Sequence, residues 1–155
     1  MGRIDYYHDS DAPAANSLVV GSSAIVVDGE GRILLQRRSD SGNWALPGGA
    51  MDIGETLAQS IIREVKEETG FDVQIERIVG IYSDPGHVFA YEDGEVRQEF
   101  SICFACVIKG GSLQVSNEST SVDFFAFEDI AGMQIHESIR LRIRDYLDNG
   151  QPVLR

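Results

Sequence analysis

Residues 18–27 are rich in Val, Ile and Ser, a composition that predicts a strand. The run Asp28-Gly29-Glu30-Gly31 marks a turn, because glycine supplies the positive φ that hairpins need. Residues 33–37 predict the returning strand. The stretch 39–55, SDSGNWALPGGAMDIGE, is dense in Gly and Pro and predicts a structured loop. Residues 56–69 then take up helical period and stop at Gly70, a residue that tolerates the left-handed end of a helix. Strands are predicted at 73–82 and 97–108, separated by turn signals at Asp84-Pro85-Gly86 and Glu92-Asp93-Gly94-Glu95. A short strand at 112–115 and another at 122–127 follow. An amphipathic helix at 136–147 is closed by Asn149-Gly150. Residues 1–17 are polar, acidic and small, and predict an arm rather than a core element, with Tyr6 and Tyr7 packing it onto the body or onto a second subunit. Strands, a helix, more strands and a second helix suit an α/β (α+β) fold, an α/β/α sandwich around a mixed sheet.

The length of 155 residues fits one domain, 18–155, behind the arm. Hydrophobic content of 43% is that of an ordinary globular chain. Charge changes the picture more. Thirteen basic against 25 acidic side chains leave a net charge of −12, which repels nucleic acid and anionic lipid. An anionic substrate would need a divalent cation to hold it. The start MGRIDYYHDSD lacks the basic and apolar regions of a signal peptide, and no apolar run approaches the ~18 residues of a membrane span. A cytoplasmic protein is expected. Cys103 and Cys106 form C-x-x-C, but positions three apart on a strand face opposite ways, so two separate buried thiols are expected rather than a redox or zinc pair.

The informative segment is 49–71. On a helical wheel Ala58, Ile61, Ile62, Val65 and Thr69 share one arc, the face expected to pack on the sheet. Arg63, Glu64, Glu67 and Glu68 share the other. Like charges at i, i+4 cost a helix roughly 0.2–0.5 kcal/mol per pair, and acids in the last turn oppose the macrodipole. A divalent cation reverses both terms, and carboxylates are the hard ligands Mg²⁺ and Mn²⁺ prefer. Taken alone, such a run is most often a solvated charged face.

The longer pattern decides between these readings. Gly49, Glu55, Arg63, Glu64, Glu67, Glu68 and Gly70 stand at the spacing G-x5-E-x7-R-E-hydrophobic-x-E-E-x-G-hydrophobic. Chance would produce this with a probability on the order of 10⁻⁶ or less. The segment resembles the signature of the Nudix hydrolases, with Phe71 where an aliphatic residue is more usual, and Trp44-Ala45-Leu46-Pro47-Gly48-Gly49 resembles its approach. The resemblance implies a Nudix fold and a Mg²⁺-dependent pyrophosphohydrolase, with Mn²⁺ able to substitute. It implies that Glu64, Glu67, Glu68 and the Gly48 carbonyl hold metal, that Arg63 orients the glutamates, and that Glu55, Gly49 and Gly70 support the loop–helix–loop. The general base is Glu64 or a glutamate from a later loop. Glu118 is the first candidate there, with an ordinary loop carboxylate as the equal alternative, and Glu99 the next.

The resemblance also implies a small-molecule nucleotide partner, a nucleoside diphosphate joined to another group, and a homodimer. Pro85 stands fifteen residues beyond Gly70, as in relatives that cleave ADP-ribose, yet Asp-Pro-Gly is also a plain turn. Arg37 and Arg38 suit phosphates or a solvated strand end. Trp44, Tyr82, Phe89 and Tyr91 suit stacking on a base or packing on their own domain. His87 and His136 are expected to be structural or exposed. ADP-ribose or a related nucleoside diphosphate sugar is the first expectation, hydrolysis of normal or oxidised (d)NTPs the second and of a dinucleoside polyphosphate the third; the rival from another class is a non-catalytic nucleotide-sugar sensor.

Overall fold

The computed structural model describes residues 2–148 and 150–155. In chain order the elements are β1 (Arg3–Tyr7), β2 (Ser17–Leu18), β3 (Gly21–Val27), β4 (Ile33–Arg38), β5 (Trp44–Ala45), β6 (Gly48–Ala50), α1 (Leu57–Thr69), β7 (Phe71–Tyr82), β8 (His87–Tyr91), β9 (Val96–Gln98), β10 (Ser101–Gly111), β11 (Ser119–Phe125), α2 (Phe127–Ile130), α3 (Glu137–Asp148) and β12 (Val153–Leu154).

The large sheet runs β11-β4-β3-β10-β7-β12, with β5 on β4 and β6 on β3. It is mixed: β10 lies parallel to β3 and antiparallel to β7. Period-two alternation along β10 divides the core. Ile102, Phe104 and Cys106 join Ile61 and Val65 of α1 on one face. Cys103 and Ala105 join Ile143 and Ile139 of α3 on the other. This is the expected α/β/α sandwich. Ile61 and Val65 are fully buried, each contributing about 1.5–3 kcal/mol. The two cysteines sit on opposite faces as free buried thiols, and burial pushes both thiols up, to about 11 for Cys103 and about 12 for Cys106.

Several boundaries differ from expectation. The strand predicted over 97–108 is two strands, because at Glu99 and Phe100 the chain leaves one sheet and enters the other. The predicted strand at 112–115 does not form; β10 ends at Gly111, whose φ is 81°. The predicted arm contains a true strand. β1 pairs along β8, so a four-stranded sheet β1-β8-β9-β2 stands beside the large one. The open edge of β8 supplies the unpaired N–H and C=O groups that β1 satisfies, and Tyr7 packs edge-on against His87 and His136. The helix predicted over 136–147 is α3, shifted by one residue. Asn149, half of its predicted stop, lies outside the described residues. No helix among the described residues is long and apolar enough to cross a membrane.

Candidate active site

Helix α1 begins at Thr56, whose hydroxyl accepts the Gln59 N–H while the Gln59 side chain accepts the Thr56 N–H. This reciprocal cap fixes the start of the helix. Gly70, at φ 86°, ends it, and a Cβ there would also strike the Ser112 carbonyl oxygen. The helix docks rotated from the predicted wheel. Ser60, Ile61, Val65, Glu68 and Thr69 are buried, while Ala58 and Ile62 face solvent. Leu57 packs against the core at the helix entry. The rotation turns the acidic edge inward, beneath β6. Close approach there requires glycine: a Cβ on Gly48 would strike the Ser22 carbonyl, and one on Gly49 would lie 2.6 Å from the Glu64 carboxyl.

Glu68 is therefore not on a solvated face; it is 9% exposed. Its Oε2 accepts the Gly48 N–H at 2.8 Å and the Gln36 Nε2–H at 2.9 Å. Gln36 is itself held by the Ser119 hydroxyl, 2.6 Å from its Oε1. Burial pushes the Glu68 carboxyl up to about 8, only partly opposed by the Gly48 N–H, and the charges of Glu64 and Glu118 add to the rise. Burial also raises Glu64, against the pull of Arg63. Glu67 is exposed.

Arg63 ties the group together. Its Nε and Nη2 donate to the two oxygens of Glu55 at 3.0 and 2.7 Å, and its Nη1 donates to Glu64 at 2.9 Å and to Glu67 at 3.2 Å. Glu55 also accepts the Asp52 N–H at 2.7 Å. The Arg63 guanidinium, aided by that N–H, holds the Glu55 carboxyl down at about 2. Glu55 thus fixes the arginine, and the arginine fixes the two glutamates. Glu64, Glu67, Glu68, Gly48 and Glu118 all line one cleft of about 780 Å³, within the range of nucleotide-sized sites.

The family model of the NUDIX domain matches residues 18–146. The chain belongs to the Nudix family. A MutT-like protein of Streptomyces ambofaciens is 31% identical over 95% of this chain and 87% of its own length. An ADP-ribose pyrophosphatase of Methanocaldococcus jannaschii is 33% identical over 80% of this chain and 73% of its own. The NUDIX domain of Shewanella oneidensis NrtR, solved with ADP ribose, superposes with a TM-score of 0.68 at 18% identity, covering 88% of this chain and 90% of that one. The protein is thus a Nudix hydrolase, and its family generally uses divalent metals. The residues present fit such an ion. Two carboxyls here, Glu64 and Glu68, are raised by burial and by neighbouring carboxylates, a penalty a cation removes, and Gly49 leaves beside the Glu64 carboxyl the space that a side chain would fill.

The Nudix fold sorts the remaining candidates. Arg38 lines the cleft, paired with Asp40 at 2.7 Å. Arg37 does not; its Nε donates to the Gly42 carbonyl at 3.0 Å. Trp44 lines the cleft from β5 and packs edge-on against Phe125 at 4.8 Å. Pro85 lies away from the carboxylates, on a shallow groove against residues 8–15. Tyr82 is in the core, its hydroxyl donating to Asp145 at 2.8 Å. Phe89 and Tyr91 line the cleft, but Arg3 and Arg97 lie over their rings at 4.2 and 4.7 Å.

The wall opposite α1 is, apart from Glu99, the part sequence reasoning missed. Asp5, His87, Glu99, His136 and Arg142 all line the cleft there. His87 is 3% exposed, and burial, then His136, Arg142 and Arg3, hold its imidazole down at about 3. Burial lowers His136 as well and raises Glu99. Glu99 lies between strands, 3.2 Å from His87 Nδ1 and 3.6 Å from Arg142 Nη2. One signal was available: Arg3, Asp5 and Tyr7 recur at period two, the mark of a strand with one polar face.

Proposed function

We propose that this Nudix hydrolase acts with Mg²⁺ on ADP-ribose or a related nucleoside diphosphate sugar, releasing a nucleoside monophosphate and a sugar phosphate. The observation that carries the reading is the set Glu64, Glu67 and Glu68 beside Gly48, held by Arg63 on one wall of a cleft large enough for both halves of such a molecule. The likeness to an ADP-ribose pyrophosphatase over most of both chains supports the choice of substrate. Glu64, Glu67, Glu68 and the Gly48 carbonyl would hold Mg²⁺, or Mn²⁺ in its place, which neutralises diphosphate charge and makes water acidic enough to attack near neutral pH.

The chain's own groups do the rest. Water attacks one phosphorus, and the P–O bond to the bridging oxygen breaks. Glu118, on the cleft and pinned through its carbonyl by the Ser39 N–H at 3.1 Å, takes the water proton. Arg38 neutralises phosphate oxygens, and Trp44 offers a face to the base. A homodimer is the expected active species, and a monomer mass by light scattering in solution would overturn it.

The test is a panel of ADP-ribose, other nucleoside diphosphate sugars, dinucleoside polyphosphates, and normal and oxidised (d)NTPs, each with Mg²⁺ and with products separated by chromatography. AMP plus ribose 5-phosphate is expected. Nucleoside monophosphate plus pyrophosphate from a triphosphate, in preference, overturns the choice of substrate. Tight binding of one member without turnover moves the protein to a sensing role.

A further inference from the structure

The wall facing the glutamates holds polar atoms that the hydrolytic chemistry does not use. One candidate ligand atom from each of Asp5, His87 and His136 lies within 4.8 Å of the other two. They come from β1, β8 and the lead-in to α3. His87 Nδ1 lies 3.2 Å from Glu99 Oε2, a carboxyl oxygen that favours the tautomer with the proton on Nδ1 and Nε2 as acceptor. That Nε2 is buried and has no hydrogen-bond partner among the described residues. His136 Nδ1 accepts the Ser138 N–H at 3.1 Å, so its proton sits on Nε2 as a donor. Asp5 is an acceptor at the open end of the cluster. The set therefore offers two acceptors and one donor.

We propose that this cluster binds the hydroxyl groups of the sugar carried on the distal phosphate, and so selects nucleoside diphosphate sugars over nucleotides that end in a bare phosphate. The inference rests on the hydrolase reading above and adds the residues that read the second half of the substrate. A hydroxyl both donates and accepts, and neighbouring hydroxyls on a sugar ring meet Asp5, His87 Nε2 and His136 Nε2–H together. A terminal phosphate only accepts, and here it would face the carboxylates of Asp5 and Glu99. The nearby cations do not invert this, because each is matched: Arg3 pairs with Asp5 at 3.0 Å and Arg142 lies 3.6 Å from Glu99.

A transition metal fits the same three residues less well. A metal on His136 Nε2 needs that nitrogen deprotonated, which moves its proton to Nδ1. Metal binding through His136 Nε2 would also cost the Ser138 N–H its acceptor at the start of α3.

The experiment compares kcat/KM for ADP-ribose with that for the β-methyl ester of ADP, which keeps the diphosphate ester and lacks the sugar. It uses the full chain and the variants His87→Phe and Asp5→Asn. Asp5 is exposed, so Asp5→Asn keeps the test alive if His87→Phe does not fold. The preference of the wild type for ADP-ribose should fall on the order of tenfold or more in each folded variant, chiefly through KM. An unchanged preference in both overturns the proposal. So does one transition-metal ion per chain in the purified protein that both variants lose. The same preference read as Kd by calorimetry separates the two ways of failing. A wild type that hydrolyses neither compound but binds ADP-ribose more tightly than the methyl ester, with the difference lost in the variants, ends the hydrolase reading and keeps this one.

Discussion

The two walls of the cleft solve the burial of charge in opposite ways. The α1 wall crowds Glu64 and Glu67 onto one cation, Arg63, and leaves Glu68 buried beside Gly48 with its carboxyl pushed up to about 8. The facing wall matches its charges pair by pair and keeps His87 neutral, its imidazole held at about 3. The first wall is incomplete without a counter-ion. The second is balanced and retains only hydrogen-bonding capacity. An unbalanced wall suits a cation and a reacting diphosphate; a balanced one suits recognition of a neutral group.

The largest test of that contrast is turnover. Glu67 is exposed and touches only Arg63 among the hydrogen-bonded groups described, so Glu67→Gln should keep the fold and lose about a thousandfold or more in kcat. An unchanged kcat, with circular dichroism showing the fold intact, would remove Glu67 from the reacting wall. Changes on the facing wall should act through KM and by far less.

The next tests are of stability against pH, where the two walls should respond with opposite sign. The Glu68 carboxyl is raised in the folded state, so the folded protein holds a proton that the unfolded chain releases. Its contribution is fully present below the ordinary glutamate value and is lost as pH rises toward 8. In chelator, Glu68→Gln should remove this loss, on the order of 5 kcal/mol by about pH 9. Millimolar Mg²⁺ should raise the wild-type Tm most at the alkaline end and raise that of the variant less. Parallel Tm profiles for the two proteins in chelator would contradict the burial argument.

His87 works the other way. Its imidazole is depressed in the fold, so its contribution is present above the ordinary histidine value, about 6.5, and is lost as pH falls from there toward 3. His87→Phe should flatten the acid side of the Tm profile and leave the alkaline side alone. A smaller effect is expected from the thiols. Cys103 and Cys106 face different cores, so Tm should be the same with and without reductant. A shift of more than about 4 °C, roughly 1–2 kcal/mol for a chain of this length, would mean the two meet.

The two walls also differ in how far they can be read from the chain. The acidic wall is one contiguous segment, and its glycines, arginine and glutamates stand at fixed spacings that helical geometry converts directly into neighbours. Even so, the wheel misplaced Glu68. Helical period orders residues around an axis, but only the docking against β6, allowed by Gly48 and Gly49, sets which edge turns inward. The facing wall draws Asp5, His87, Glu99 and Arg142 from four stretches far apart in sequence. No local pattern joins them, because their proximity follows from β1 adding to the edge of β8 and from the chain changing sheets at Glu99.

The sequence by itself determined the sandwich, the separation of the two cysteines and the grouping of Glu64, Glu67 and Glu68 on one helix, because each depends on the order of elements or on a period held within one element. The tertiary structure alone decided the burial of Glu68, the removal of Arg37 and Pro85 from the cleft, and the assembly of the second wall. Those outcomes depend on how elements pack, and packing is settled by long-range strand pairing and by close contacts between segments, which a linear pattern does not contain.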